Sequence, residues 1–154
     1  MQSTRETWPE MDQPTHRLIT RLTRLNEIIW RDAQRHLDRA DLTRLEYDIL
    51  ATLRKAEPPH AMRPSDLCQF ALASSGGMSI ALKKLRARGY VTLETAPRDA
   101  RSKIVRLTDD GVDAIETVSD AMLTDQISML ARIVEESEVD NLAERLKLVL
   151  NGVD

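Results

Sequence analysis

A chain of 154 residues, 42% of them hydrophobic, suffices for one domain of ordinary size, or for a small domain with helical extensions, and needs no covalent staples. No apolar run approaches the roughly 18 residues of a membrane span, and residues 1–14 lack the apolar centre of a secretory signal, so no membrane association and a cytoplasmic location are expected. The formal net charge of −3 does not exclude a polyanionic partner, because residues 78–106 carry eight Lys and Arg against two acids and charges are screened beyond about 10 Å at ordinary salt.

With 3% aromatic residues and five glycines, the composition favours a mostly helical protein with minor sheet. Leu18, Leu22, Leu25, Ile28 and Ile29 recur at helical spacing after Pro14, in a long amphipathic helix running to about Leu37. Asp41 or Thr43 caps a second helix, with Leu45, Ile49, Leu50 and Leu53 along it, which Pro58 and Pro59 forbid from continuing beyond about Lys55 or Ala56. Pro64 starts a short third helix through Leu67, Phe70 and Ala71 to about Leu72. Ser74 and Ser75 break it and start a fourth over 75–88, with Met78, Leu82 and Leu85 inward, Lys83, Lys84 and Arg88 outward, and Gly89 as a left-handed cap. Two short helices joined by a tight serine turn suggest a helix-turn-helix.

Tyr90, Val91, Thr92 and Leu93 favour one strand and residues 103–107 a second, separated by a charged loop over 97–102, so a β-hairpin with a basic tip follows the fourth helix. Helix, turn and basic hairpin in that order suit a grip on duplex DNA. Thr108, Asp109 and Asp110 then supply a cap and first-turn acids for a long helix past Ile115, Val118, Met122, Ile127 and Leu130, in which Gly111 is tolerable. Ser137, Glu138 and Asp140 begin a last helix with Val139, Leu142, Leu146 and Val149 on one face. A small lobe cannot shelter the apolar faces of long helices at both ends of the chain, and an intertwined homodimer is expected to do so.

The chain offers little for catalysis or metal binding. The single Cys68 lies in an apolar stretch where a small buried thiol is the default. Asp32 and His36 share a helical face, but His16 and His60 lie far off with no acidic or Cys cluster at ligand spacing, so no metal, no cofactor and no enzymatic activity are expected.

The runs Leu85-Arg86-Ala87-Arg88-Gly89-Tyr90-Val91, Asp99-Ala100-Arg101 and Val105-Arg106-Leu107-Thr108-Asp109-Asp110-Gly111, with the spacing between them, resemble the wing region of the MarR family of transcriptional regulators. The likeness is strongest over about residues 43–118. It implies a winged helix-turn-helix lobe over 41–108, flanked by an N-terminal arm and dimerisation helix over 1–40 and dimerisation helices over 109–154. The implied function is that of a homodimeric, ligand-responsive repressor on a pseudo-palindromic double-stranded DNA operator, released by a small aromatic or phenolic effector. Residue by residue, Ser74, Ser75, Gly76 and Ser79 would approach base edges in the major groove. Asp99 would orient Arg101 into the minor groove, and Arg98 and Lys103, with Lys83 and Lys84, would meet phosphates. Trp30, with Trp8 upstream and Arg31, Arg35 or Arg39 as the cation, would line an effector cleft. The chain departs from the family at Ile80 and Ala81, where many relatives carry polar residues. That departure motivates an alternative, a winged-helix protein-interaction module without specific DNA binding.

Overall fold

The computed structural model describes residues 13–96, 99–132 and 134–152, and at 96 and 99–102 the backbone alone. Helix α1, Pro14–Arg39, opens with a proline at its first position, where a missing N–H is no loss, and places His36 and Arg39 in its last turn, at the negative end of the helix dipole. Leu18, Ile19 and Leu25 along it are exposed, whereas Ala33 and Leu37 near its end are buried. Thr43 rather than Asp41 caps helix α2, Arg44–Lys55. Its Oγ1 accepts from the Glu46 N–H while the Glu46 carboxylate accepts from the Thr43 N–H at 2.8 Å, a reciprocal capping box. That box accounts for the burial of Glu46, which also lies 3.9 Å from Lys84 Nζ. Asp41 instead turns the chain with a φ of 53°.

A strand absent from the sequence reading, β1 at Ala61–Met62, precedes helix α3, Pro64–Phe70. Only Leu67 of α3 is buried. Phe70, in the last turn of the helix, is 66% exposed, and Leu72, expected at the helix end, lies beyond it in a left-handed conformation and is 95% exposed. Helix α4, Ser75–Ala87, is capped by Ser74, whose Oγ accepts from the Gly77 N–H at 3.2 Å, and buries Met78, Ala81 and Leu85. Leu82 is half-buried.

Strands β2, Val91–Ala96, and β3, Asp99–Leu107, form the hairpin, and β1 lies on the far edge of β3 in an antiparallel sheet of order β1-β3-β2. Thr95 pairs with Lys103, after which the register shifts and Ala96 pairs with Asp99. Residues 99–102, expected in the loop, thus belong to the strand: the shift lets polar residues continue the ladder, which alternation of apolar residues does not reveal. Arg106 donates to both carboxylate oxygens of Glu94, Nε at 3.0 Å and Nη2 at 3.2 Å, a diagonal cross-strand pair.

Helix and hairpin meet at the corner Arg88–Gly89–Tyr90. Gly89 has φ 77°, which suits glycine. Arg88, expected to face outward, turns back: its guanidinium donates to the carbonyls of Asp41 and of Ala40, the latter at 2.8 Å, and lies over the Tyr90 ring with Cζ 4.8 Å from the centroid. A cation that satisfies two carbonyls at a chain turn is held by hydrogen bonds that solvent cannot supply in the same geometry. Thr108 fastens the next helix to this corner, its Oγ1 donating to the Gly89 carbonyl at 2.7 Å and its N–H to the Tyr90 carbonyl at 3.1 Å. Thr108 Oγ1 also accepts from the Gly111 N–H at 3.0 Å, in the first turn of helix α5, Asp109–Leu130.

The chain divides into two compact units, the first ending at Ile115 and the second beginning at Glu116. The first unit buries Leu37, Ile49, Leu50, Leu53, Leu67, Met78, Leu85, Val105 and Ile115. In the second, helix α6, Glu136–Asn151, begins a residue before the expected serine, buries no residue and leaves Leu142, Leu146, Leu148 and Val149 exposed. Among the described residues no helix is long and apolar enough to cross a membrane.

Two predictions follow from these contacts. Gly111 is a matter of space rather than tolerance, because a Cβ there would collide with the Tyr90 carbonyl and stand 2.9 Å from Leu107 Cδ1. Gly111→Ala therefore lowers the unfolding free energy by about 1–3 kcal/mol in a urea titration, although alanine is the better helix former. The hydrogen bonds from Arg106 hold the Glu94 carboxyl below its ordinary value of 4.5. Its folded form thus binds fewer protons than the unfolded chain, and the pair's contribution is present at neutral pH and lost as pH falls through that lowered value. Glu94→Gln makes the loss of stability below pH 4.5 shallower in urea midpoints measured against pH.

Candidate nucleic-acid interface

The outward face of α4 is set by what its other face buries. With Met78, Ala81 and Leu85 inward, the 3.6-residue repeat turns Ser75, Gly76, Ser79, Ile80, Lys83 and Arg86 to solvent, and all six are exposed. The N-terminal turns of this face are small and hydroxylated, and its cations come one and two turns later. Ser74 is also exposed, while its Oγ serves the cap and is committed to the Gly77 N–H.

The hairpin closes one side of this face. Ser75, Ser79, Lys83 and Arg86 of α4 line, together with Lys103 and Leu93 of the hairpin and Cys68 of α3, a single groove of about 450 Å³. Four of the expected contact residues, Ser75, Ser79, Lys83 and Lys103, thus converge on one feature. Arg86 adds a third cation to it, one that the sequence marked only within the run Leu85–Val91. Lys103 is exposed and donates to Thr95 Oγ1 at 3.0 Å across the strands, which steadies its stem and leaves its charge facing solvent. Cys68, expected to be buried, is half-buried, because it sits on the wall of this groove.

The remaining expected residues are placed differently. Lys84 leans toward the buried Glu46, with its side chain 60% exposed. Ala81 is a core residue, 4% exposed, and only Ile80 of that pair faces out, at 64%. Gly76 is on the face by choice of residue rather than by backbone need, since a Cβ there would meet nothing within 4 Å. Asp99 and Arg101 lie on β3 at the distal end of the hairpin, where the backbone is described, and Arg98 lies outside the described residues.

Trp30 of α1 packs on α2. Its ring meets Tyr47 edge-on at 6.1 Å, and the Arg44 guanidinium lies 3.7 Å from the ring centroid. Arg44 also attracts the Asp48 carboxylate, whose partial burial nevertheless raises its pKa above the ordinary 3.8. Arg31 is exposed and Arg35 pairs with Asp32, the acid that shares a helical face with His36. Trp8 lies outside the described residues. A separate hollow of about 650 Å³ opens between the end of α1, the start of α2 and the end of α4, walled by Gln34, Asp38, Thr43, Lys84 and Arg88 among others. Among the described residues no three His, Cys, Asp or Glu side chains come together as a metal site.

Comparison with known proteins places this architecture. Residues 40–102, from the last residues before α2 through the hairpin tip, match the model of the MarR family. The regulator PecS of Dickeya dadantii is 27% identical over 138 residues, a span of 90% of this chain and 83% of that one. Wild-type MarR from E. coli, crystallised without ligand, superposes with a TM-score of 0.75 at 26% identity, over 90% of this chain and 98% of that chain. Sco3205, a MarR family transcriptional regulator from Streptomyces coelicolor crystallised in complex with DNA, gives a TM-score of 0.75 at 21% identity, over 92% and 90% of the two chains. Sequence match, curated relative and fold agree with the wing motifs, and over residues 40–102 the chain is similar to the MarR family.

Proposed function

We propose that this protein is a sequence-specific DNA-binding transcriptional regulator, a homodimeric repressor acting in the cytoplasm on a pseudo-palindromic operator. One observation carries the reading: the small, hydroxylated start of α4, its later cations and Lys103 of the hairpin face one groove. A helix that begins with small residues brings its backbone N–H groups close to the groove floor, while Lys and Arg behind it meet the phosphates that flank the groove. The DNA complex of Sco3205, a protein of the same fold, supports this assignment. In this reading 41–108 is the DNA-binding lobe, Asp99 and Arg101 at the hairpin end address the minor groove, and the stretches 1–40 and 109–154 pair with a second copy. The exposed Leu18, Ile19 and Leu25 of α1 and Leu142, Leu146 and Val149 of α6 give such a pairing its apolar surface.

A small aromatic or phenolic effector would release the operator, with Trp30, Arg31 and Arg35 as its candidate contacts. It can do so only by binding the DNA-incompetent arrangement more tightly than the competent one. The rival reading, a protein-interaction module, rests on apolar residues in the reading face. With Ala81 in the core, Ile80 alone of that pair remains to support it.

Selection of bound sequences from a randomised duplex library tests the reading. The expected product is an inverted repeat with half-sites about ten base pairs apart, and recovery of no preferred sequence contradicts it. On the selected duplex, Arg101→Ala lowers affinity and flattens its salt dependence by about one ion; unchanged affinity and slope would remove the wing assignment. Gly76→Ala separates function from folding. It raises the unfolding free energy by about 0.5–1 kcal/mol, as alanine does in a helix with room for a Cβ, and weakens duplex binding several-fold in fluorescence anisotropy.

A further inference from the structure

The half-buried Cys68, the exposed turn at Phe70 and Leu72, and the exposed Ile80 have no part in the core. Cys68 is a lone thiol that belongs to the groove already described, and nothing in the structure shows what covers the Phe70–Leu72 turn. Ile80 leads further. Between Ser74 and Leu82 the chain carries no Arg, Lys, Asn or Gln, the side chains that recognise bases through two hydrogen bonds. The first such group on the face is Lys83, a full turn beyond Ser79. Direct reading by the first two turns of α4 is therefore left to the hydroxyls of Ser75 and Ser79 and to Ile80, the largest side chain they present.

Ile80 is 64% exposed, although the buried stripe of its helix is complete without it. Helical side chains lean toward the N-terminus, so Ile80 leans toward the turn below it, where the residue four positions earlier is Gly76. A Cβ at Gly76 would stand in open space. The bare backbone of Gly76 and the exposed side chain of Ile80 thus border an open space, with no atom of Ile80 within 4 Å of where a Gly76 Cβ would stand, and two serines flank it. In the major groove one base edge offers an apolar group of matching size, the C5-methyl of thymine.

We propose that Ile80 and Gly76 form a thymine-methyl slot, so that one thymine in each half-site is recognised by its methyl group rather than by hydrogen bonds. The proposal rests on the DNA-binding reading and names how that site discriminates. Its test uses the full chain and the duplex recovered by selection, with each thymine replaced in turn by deoxyuridine, which lacks only the methyl. One position per half-site is expected to lose affinity about fourfold on replacement, the effect of one buried methyl-sized group. Ile80→Ala is expected to bind the thymine and deoxyuridine duplexes equally at that position and to melt at the wild-type temperature, since Ile80 lies outside the core. Indifference of the wild type to every replacement, or equal methyl sensitivity in Ile80→Ala, overturns the slot while leaving selective DNA binding intact. Failure to prefer any duplex sequence overturns the parent reading and the slot together.

Discussion

The guanidinium of Arg88 joins three parts of the chain that sequence order keeps apart. It satisfies the carbonyls of Ala40 and Asp41 where α1 ends, stems from the residue whose backbone N–H caps the end of α4, and lies over Tyr90 where the hairpin begins. The carbonyls of Gly89 and Tyr90 in turn receive Thr108, and the missing side chain of Gly111 lets α5 pass against the same backbone. A helix proposed to read DNA is useful only if its outward face points the same way each time. Here its far end is clamped by hydrogen bonds to a charged group, which are stronger than neutral ones. The exposed N-terminal turns thus project from a braced base, and the hairpin departs from that same base, so helix face and wing keep a common orientation.

Charge is divided between holding this frame and facing solvent. Arg88 and Arg106 belong to the frame, the first through main-chain carbonyls and the second through Glu94. Lys84 is shared, leaning on the buried Glu46 of the capping box. Lys83, Arg86 and Lys103 remain around the groove. A basic segment counted from sequence therefore overstates the cations available to a polyanion, yet among the residues whose side chains are described Lys83, Arg86 and Lys103 are concentrated on one feature, which suits a screened field.

Helix positions were legible because their signals are local. Pro14 and Pro64 mark starts, Ser74 and Thr43 cap, Gly89 stops, and apolar residues recur with helical period. The parts that were not legible depend on contacts distant in sequence. Strand β1 is two residues long and exists only because β3 offers an edge. Residues 99–102 look like a polar loop until the register shift lets them pair. Arg88 reads as one more outward cation because its partners lie nearly fifty residues earlier. Ala81 lies one helical step, about 100°, from the exposed Ile80, and only the packing of α4 shows that one is buried and the other exposed. The candidate interface was mostly legible as residue types, but its convergence on one groove, and the presence of Arg86 and Cys68 there, came from the fold.

The central claim is that the exposed face of α4, with the hairpin beside it, is the surface that meets duplex DNA. The most direct measurement is the backbone amide spectrum of the isotopically labelled protein as duplex is added. The account predicts the largest shifts at Ser75, Gly76, Gly77, Ser79, Lys83 and Lys103, with Arg88 and Leu37 little moved. Shifts concentrated on α1 and α2, with the start of α4 unchanged, would contradict it.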